Sequence, residues 1–328
     1  MRNPWFPEFF QGSGRRRNYF EGWYFKHSGG PRRGVWSFIP GVAFGDNRES
    51  AYSFVQAIEG ETGRSWWFQY PLESFSASAS KLDIRVGGNH FGPEGIELDL
   101  DDGTSTIRGR FAYGPFNKFK TPFWSPGVMG PYSFVPGMEC NHGLVSLDHS
   151  VDGVLEVEGR RIAFKDGRGY IEKDWGTSMP ESWVWMQSND FPARGDSLML
   201  SVAKVPWAGS AFRGFLCALS LGNEKNLFAS YNGSKISRLE ITDTLVECEI
   251  AKSRKGMVEE VLTVTATRSR GGILLAPVAG ILSRRIAETV DASIEVEYFR
   301  KGRGTYFNKA SPAGLEVVGN ISAMDGRT

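Results

Sequence analysis

The sequence predicts an all-β fold, on three observations. Apolar and polar residues alternate with period two along most of the chain, which puts successive side chains on opposite faces of a strand. Gly, Asn, Asp or Pro separates most of these runs at intervals of roughly ten residues, the spacing of sandwiches and barrels. Finally, 40 Gly with 23 Phe and 10 Trp suit a turn-rich β protein whose large rings line an interior.

Taken in order, Tyr19–Lys26 (YFEGWYFK) carries rings on both faces and reads as a strand buried on both sides. Alternation then predicts strands at Val35–Pro40, Tyr52–Glu59, Ser65–Tyr70, Gly95–Leu100 and Thr104–Tyr113. Pro115–His142 breaks the pattern, with Pro115, Pro122, Pro126, Pro131 and Pro136 among six aromatic rings. Such a loop is ordered by packing, either as a plug over a barrel end or as a lid over an apolar pocket. Alternation resumes at Leu155–Glu158, Arg160–Lys165, Gly169–Gly176, Ser182–Asp190, Ser197–Val205 and Arg213–Leu221. It continues at Lys235–Ile241, Thr244–Ala251, Val258–Arg268, Ser293–Arg300 and Thr305–Asn308. Leu275–Glu288 alone reads as a short helix. The boundary between two β units falls between Trp175 and Trp183, giving residues 1–178, with the Pro-rich loop at 115–142, and residues 179–328.

Composition excludes several classes of function. Lys+Arg is 38 against Asp+Glu 37, so there is no electrostatic case for nucleic acid. Cys140, Cys217 and Cys248 form neither a disulfide framework nor a paired metal motif, which suits a reducing, cytoplasmic setting. The N-terminus shows no signal peptide, and the longest apolar run, Gly271–Leu282, is too short to span a bilayer and contains Pro277. Phosphate loops, dinucleotide fingerprints, zinc-protease helices and nucleophile elbows are all missing, so neither a cofactor nor a metal is expected. Glu139, Cys140, His142 and His149 lie close in sequence, but their spacing matches no standard metal site.

The stretch from Gly169 to Asn189 carries the chemistry. On a strand Tyr170, Glu172 and Asp174 share one face, with Ile171, Lys173 and Trp175 opposite. Trp183, Trp185, Gln187 and Asn189 share a face of the next strand. If these faces meet, two carboxylates stand among indoles and amides. A carboxyl among apolar rings is pushed toward its protonated form, and indole faces stabilise a cation. Equally, the carboxylates can be ion-paired and the tryptophans simply core. In the first strand Glu21 and Trp23 share a face, and Tyr24 takes the other; a buried Glu21 needs a partner or a proton.

YFEGWYFK at 19–26, PYSFVPGMECNHG at 131–143, the block from Glu172 to Asn189 and LLAPVAG at 274–280 together resemble the tocopherol cyclase family, in the family's order. The resemblance implies two lipocalin-like β units in tandem and closure of a chromanol ring on a prenylated hydroquinone. An acid protonates the alkene, a tertiary cation forms and the phenol oxygen captures it. Carried onto this chain, Glu172 is the first choice of proton donor and Asp174 the second. Trp23, Trp183 and Trp185 shield the cation, Gln187 and Asn189 orient the phenol, and Tyr24 and Tyr170 complete the binding surface. Glu21 or His142 accepts the phenol proton. Plant-type members carry Asn where this chain has Asp174, which counts against Asp174 as the family's acid. Two alternatives stand beside the cyclase: a non-catalytic carrier of isoprenoids, and a hydratase that lets water capture the cation. In each case the partner is a small apolar molecule, with peripheral membrane contact as a means of collecting it.

Overall fold

A computed structural model of the chain describes residues 3–29, 34–47, 49–207, 209–269 and 271–320. The fold is all-β, and among the described residues there is no α-helix. The strands of the first half are β1 (Tyr19–Ser28), β2 (Val35–Phe44), β3 (Tyr52–Glu59), β4 (Ser65–Pro71), β5 (Phe75–Ala77) and β6 (Ile84–Val86). They continue with β7 (Asn89–Gly92), β8 (Gly95–Asp101), β9 (Thr106–Tyr113), β10 (Cys140–Val157) and β11 (Arg160–Gly176). The second half adds β12 (Trp183–Ser188), β13 (Ser197–Trp207), β14 (Ser210–Leu221), β15 (Glu224–Ala229) and β16 (Ser234–Ile241). It ends with β17 (Leu245–Arg254), β18 (Met257–Thr267), β19 (Gly272–Val278), β20 (Ile281–Arg300) and β21 (Gly304–Val318).

The chain forms two compact units. The first runs to Met179 and also includes Ile273–Ile286; the second comprises Pro180–Gly272 and the chain from Ala287 onward. In the first unit the sheet order is β4-β3-β2-β1-β11-β10-β9-β8-β7-β6-β5. This is an antiparallel meander whose first and last strands pair, the up-and-down topology of lipocalin-like barrels. Its enclosed face gathers Trp23, Phe25, Trp36, Phe38, Phe91, Phe111 and Ile171 into one core. Burying a side chain of this kind stabilises the fold by about 1.5–3 kcal/mol. The second unit repeats the plan, in the order β15-β14-β13-β12-β21-β20-β18-β17-β16, with its first and last strands again paired. Val184, Met186, Leu198, Leu200, Ile294 and Val296 fill its core.

One sequence expectation fails. Leu275–Glu288 is a β-hairpin and not a helix. Ala279 (φ 49°) and Gly280 (φ 87°) are consecutive positive-φ residues, the requirement of a tight two-residue hairpin turn. A Cβ on Gly280 would stand 2.1 Å from the carbonyl oxygen of Phe44, so only glycine fits there. Pro277 has no N–H for an intrahelical bond, and the turn redirects the chain at once. Within the first unit the hairpin is fastened to β3: Gln56 exchanges side-chain hydrogen bonds with Leu275 (3.0 and 2.7 Å), and the Leu282 N–H donates to the Tyr52 hydroxyl (3.1 Å).

β10 also runs longer than alternation suggests. β10 begins at Cys140, where Asn141, His142, Ser146, Asp148 and His149 give a polar look in sequence. Bulges between Leu144 and Ser146 and between Ser146 and His149 re-aim its side chains. The Pro-rich loop runs on from β9 and is stitched to β10 through Asn117, which bonds the backbone of Asp148 and Leu147. Val128, Met129 and Gly130 anchor its centre in the protein. Among the described residues, no helix is long and apolar enough to cross a membrane.

Candidate active site

The pairing of β1, β11 and β10 decides which side chains meet. Tyr24 lies directly opposite Glu172, and His142 directly opposite Asp174, so all four project from one face of the sheet. Tyr170 is two residues before Glu172 on that face, and its hydroxyl donates to Glu172 Oε2 at 2.5 Å. Burial, together with the neighbouring Glu172 charge, raises the Tyr170 phenol well above its ordinary range, so it stays a donor. The Ser37 hydroxyl donates to the Tyr24 oxygen at 2.9 Å.

His142 bridges the two carboxylates. Its Nδ1 is 2.8 Å from Asp174 Oδ1. Its Nε2 is 3.3 Å from Glu172 Oε2, a charge contact and not an aligned hydrogen bond. Burial disfavours an imidazolium here, but the charges of Glu172 and Asp174 and the hydrogen bond to Asp174 outweigh it, and His142 is held well above its ordinary pKa. It therefore carries a proton at neutral pH. Cys140 closes the far side, with its sulfur 3.8 Å from Asp174 Oδ1 and 3.6 Å from Met179 Sδ. Burial raises its thiol well above the usual range, so it is no nucleophile at neutral pH. The His142, Glu172 and Asp174 ligand atoms lie within 4.8 Å of one another, the spacing at which a divalent cation can be held.

This geometry changes the expectation in three respects. Glu172 is not a carboxyl among apolar rings alone, because His142 stands between it and Asp174. Glu21 and Trp23 do not join the site. They lie opposite Trp175 and Lys173, on the other sheet face. There the Glu21 carboxylate is ion-paired with Lys173 Nζ at 2.5 Å and also accepts from the Tyr19 hydroxyl and the Gln11 N–H. Lys173 lies over the rings of Trp23 (4.5 Å) and Trp175 (4.8 Å) and donates to the carbonyl of Phe9. A glutamate so occupied is a poor acceptor for a substrate proton. The grouping of Glu139, Cys140, His142 and His149 also dissolves. His149 faces Gly169 on the enclosed side, where its Nδ1 meets the Ser146 hydroxyl at 2.9 Å.

Trp183, Trp185 and Gln187 share a face of β12 as alternation predicts, while Val184 and Met186 enter the second unit's core. The Trp183 indole donates to the Glu316 carboxylate, and the Gln187 amide lies 3.3 Å from Asn189 Oδ1. Sequence reasoning did not foresee the His142–Asp174 pair, since nothing in the spacing of two residues 32 apart announces a register. It also missed a second buried pair, His27 Nε2 at 2.6 Å from the Tyr113 hydroxyl.

A model of the tocopherol cyclase-like family matches residues 104–319. The chain belongs to this family. The match covers the block from Glu172 to Asn189 and His142. Curated relatives include the chloroplastic tocopherol cyclase of Zea mays, 37% identical over 51 residues, and a probable chloroplastic tocopherol cyclase of Oryza sativa subsp. japonica, 35% identical over the same length. The shared segment is 16% of this chain and spans only 11% of each relative. Among solved structures, CghA superposes with a TM-score of 0.55 at 8% identity, covering 94% of this chain and 90% of that one. At that identity the likeness is one of fold.

Proposed function

We propose that this protein is a cyclase acting on a prenylated hydroquinone. The observation that carries the proposal is the His142 ring held between the carboxylates of Glu172 and Asp174 in a member of the tocopherol cyclase-like family. The site holds one proton on His142, between two carboxylates. His142 passes it to Glu172, which delivers it to the less substituted alkene carbon. The tertiary cation left on the neighbouring carbon is captured by the phenol oxygen, which loses its own proton to the trio. The proton gained equals the proton lost, so substrate and product are isomers, and the step itself calls for neither oxidant nor reductant. Asp174 positions His142 through Nδ1 and keeps Nε2 aimed at Glu172. Tyr170 fixes the Glu172 carboxylate and Tyr24 borders it.

The test is turnover of a prenylated hydroquinone in deuterium oxide. Cyclisation yields an isomeric chromanol with one non-exchangeable deuterium at the carbon that was protonated. A tertiary alcohol, heavier by one water, would make the protein a hydratase instead. Saturable binding without product would make it a carrier.

A further inference from the structure

The first unit exposes an aromatic patch that its core does not use. Phe123 and Trp124 are 75% and 77% exposed, and Trp5, Phe6 and Phe134 are also exposed. Trp5, Phe123 and Phe134 touch one another, with Trp124 next to Phe123 in the chain. The Trp5 ring stacks on Phe123 with centroids 4.9 Å apart, approaches Phe134 at 5.8 Å, and its indole N–H donates to the Phe123 carbonyl at 2.8 Å. The patch sits at the tip of the Pro-rich loop, held in shape by Gly127 N–H donating to Thr121 Oγ1 and by buried Val128 and Met129. Ordering rings outward at this density costs solubility, so the patch points to a partner.

Charge indicates the kind of partner. From Gly114 to Met138 the chain holds Lys118 and Lys120 and no Asp or Glu. The N-terminal segment that supplies Trp5 and Phe6 continues into Arg15, Arg16 and Arg17, all exposed. Its one acid, Glu8, is ion-paired with Lys118 at 2.8 Å. Trp and Phe on a loop that carries Lys118 and Lys120 and no acid of its own match the headgroup level of an anionic bilayer, where amphipathic rings settle and cations are attracted. We propose that this patch docks the protein on a lipid bilayer bearing anionic headgroups. The inference stands on exposure and charge and does not depend on the cyclase reading.

The test is flotation of the full chain with vesicles of phosphatidylcholine, alone and with phosphatidylglycerol added, in the absence of any substrate. Binding is expected to be stronger to the anionic vesicles. The double variant Phe123→Ser, Trp124→Ser should lose it by about tenfold or more. Lys120→Glu should weaken binding to anionic vesicles and leave binding to neutral ones unchanged. Trp207→Ser removes an exposed ring of the second unit (47% exposed) and should change nothing. Brominated acyl chains should quench wild-type fluorescence more than that of Trp124→Phe. Three results would overturn the proposal: no flotation of the wild type; equal loss in Trp207→Ser; or a concentration-dependent dimer that the double variant abolishes, which would make the patch an interface between two copies. The substituted side chains are exposed, and unchanged thermal unfolding of the variants confirms that the fold is intact.

Discussion

Tyr170 and Glu172 lie on the same face of one strand, and the phenol hydroxyl is 2.5 Å from the carboxylate. Glu172→Gln keeps an acceptor for Tyr170 and the shape of the site but cannot relay a proton. Cyclisation is expected to fall by 10²-fold or more, the lower end of what a general acid contributes, on the order of 3 kcal/mol in barrier. Ligand binding, read by tryptophan fluorescence, should be retained. Normal turnover by the Gln variant would remove Glu172 from the mechanism.

The pH profile reports His142. Its pKa is raised in the folded protein, so the protonated form, and with it activity, persists above the ordinary histidine range and is lost as pH rises through the raised value. Asp174→Asn removes one of the two charges that raise it while leaving an acceptor for Nδ1–H. The alkaline limb should therefore move to lower pH, with substantial activity kept below it. An unchanged limb would show that Asp174 does not act through His142.

A divalent cation competes with the stored proton for the same atoms. Added Zn²⁺ should inhibit, more strongly at higher pH, because imidazole must deprotonate to bind it. Asp174→Asn should weaken that inhibition. Activity is expected to survive EDTA, and loss restored by a divalent ion would overturn the proton-relay mechanism.

Lys173 and Glu21 form a fully buried ion pair. Burial lowers the Lys173 pKa and Glu21 opposes that shift. Lys173→Met strands a buried carboxylate and should cost about 3–5 kcal/mol in urea unfolding. The double change with Glu21→Gln should recover part of it. Additive losses would show that the two residues are not coupled.

Acid stability depends on a different pair. His27 and His149 are both lowered by burial to about 3, and His27 further by its proximity to His149. Both are neutral in the native state. Their contribution is complete above pH 6.5 and is lost as pH falls from there towards 3, because the unfolded chain takes up protons first. The penalty is up to roughly 5 kcal/mol for each histidine. A flat urea midpoint between pH 6.5 and 4 would contradict this.

The β class and most strands were legible because alternation and turn residues act locally. Tyr52–Glu59 appears with the boundaries that spacing predicts. The face shared by Tyr170, Glu172 and Asp174 was legible for the same reason. Leu275–Glu288 was misread because its apolar spacing fits either period, and the Ala279–Gly280 turn decides it. The His142 bridge was hidden because it depends on which strands become neighbours. Parity placed Glu21 and Trp23 together correctly but could not tell which sheet face would receive Glu172. The two β10 bulges between Leu144 and His149 have no signature in composition.

The hairpin around Gly280 belongs to the first unit although it is encoded far downstream. Gln56 waits for Leu275, 219 residues later, and Tyr52 for Leu282, 230 residues later. At ordinary rates of protein synthesis, about 5–20 residues per second, that interval is roughly ten to forty seconds. During it the rings of Phe54 and Trp67 and the side chain of Ile39 lack the cover that Leu275 and Leu282 give them in the finished protein. The nascent protein thus presents a less covered apolar strand face until that hairpin has been made. Holdase chaperones would act in that window.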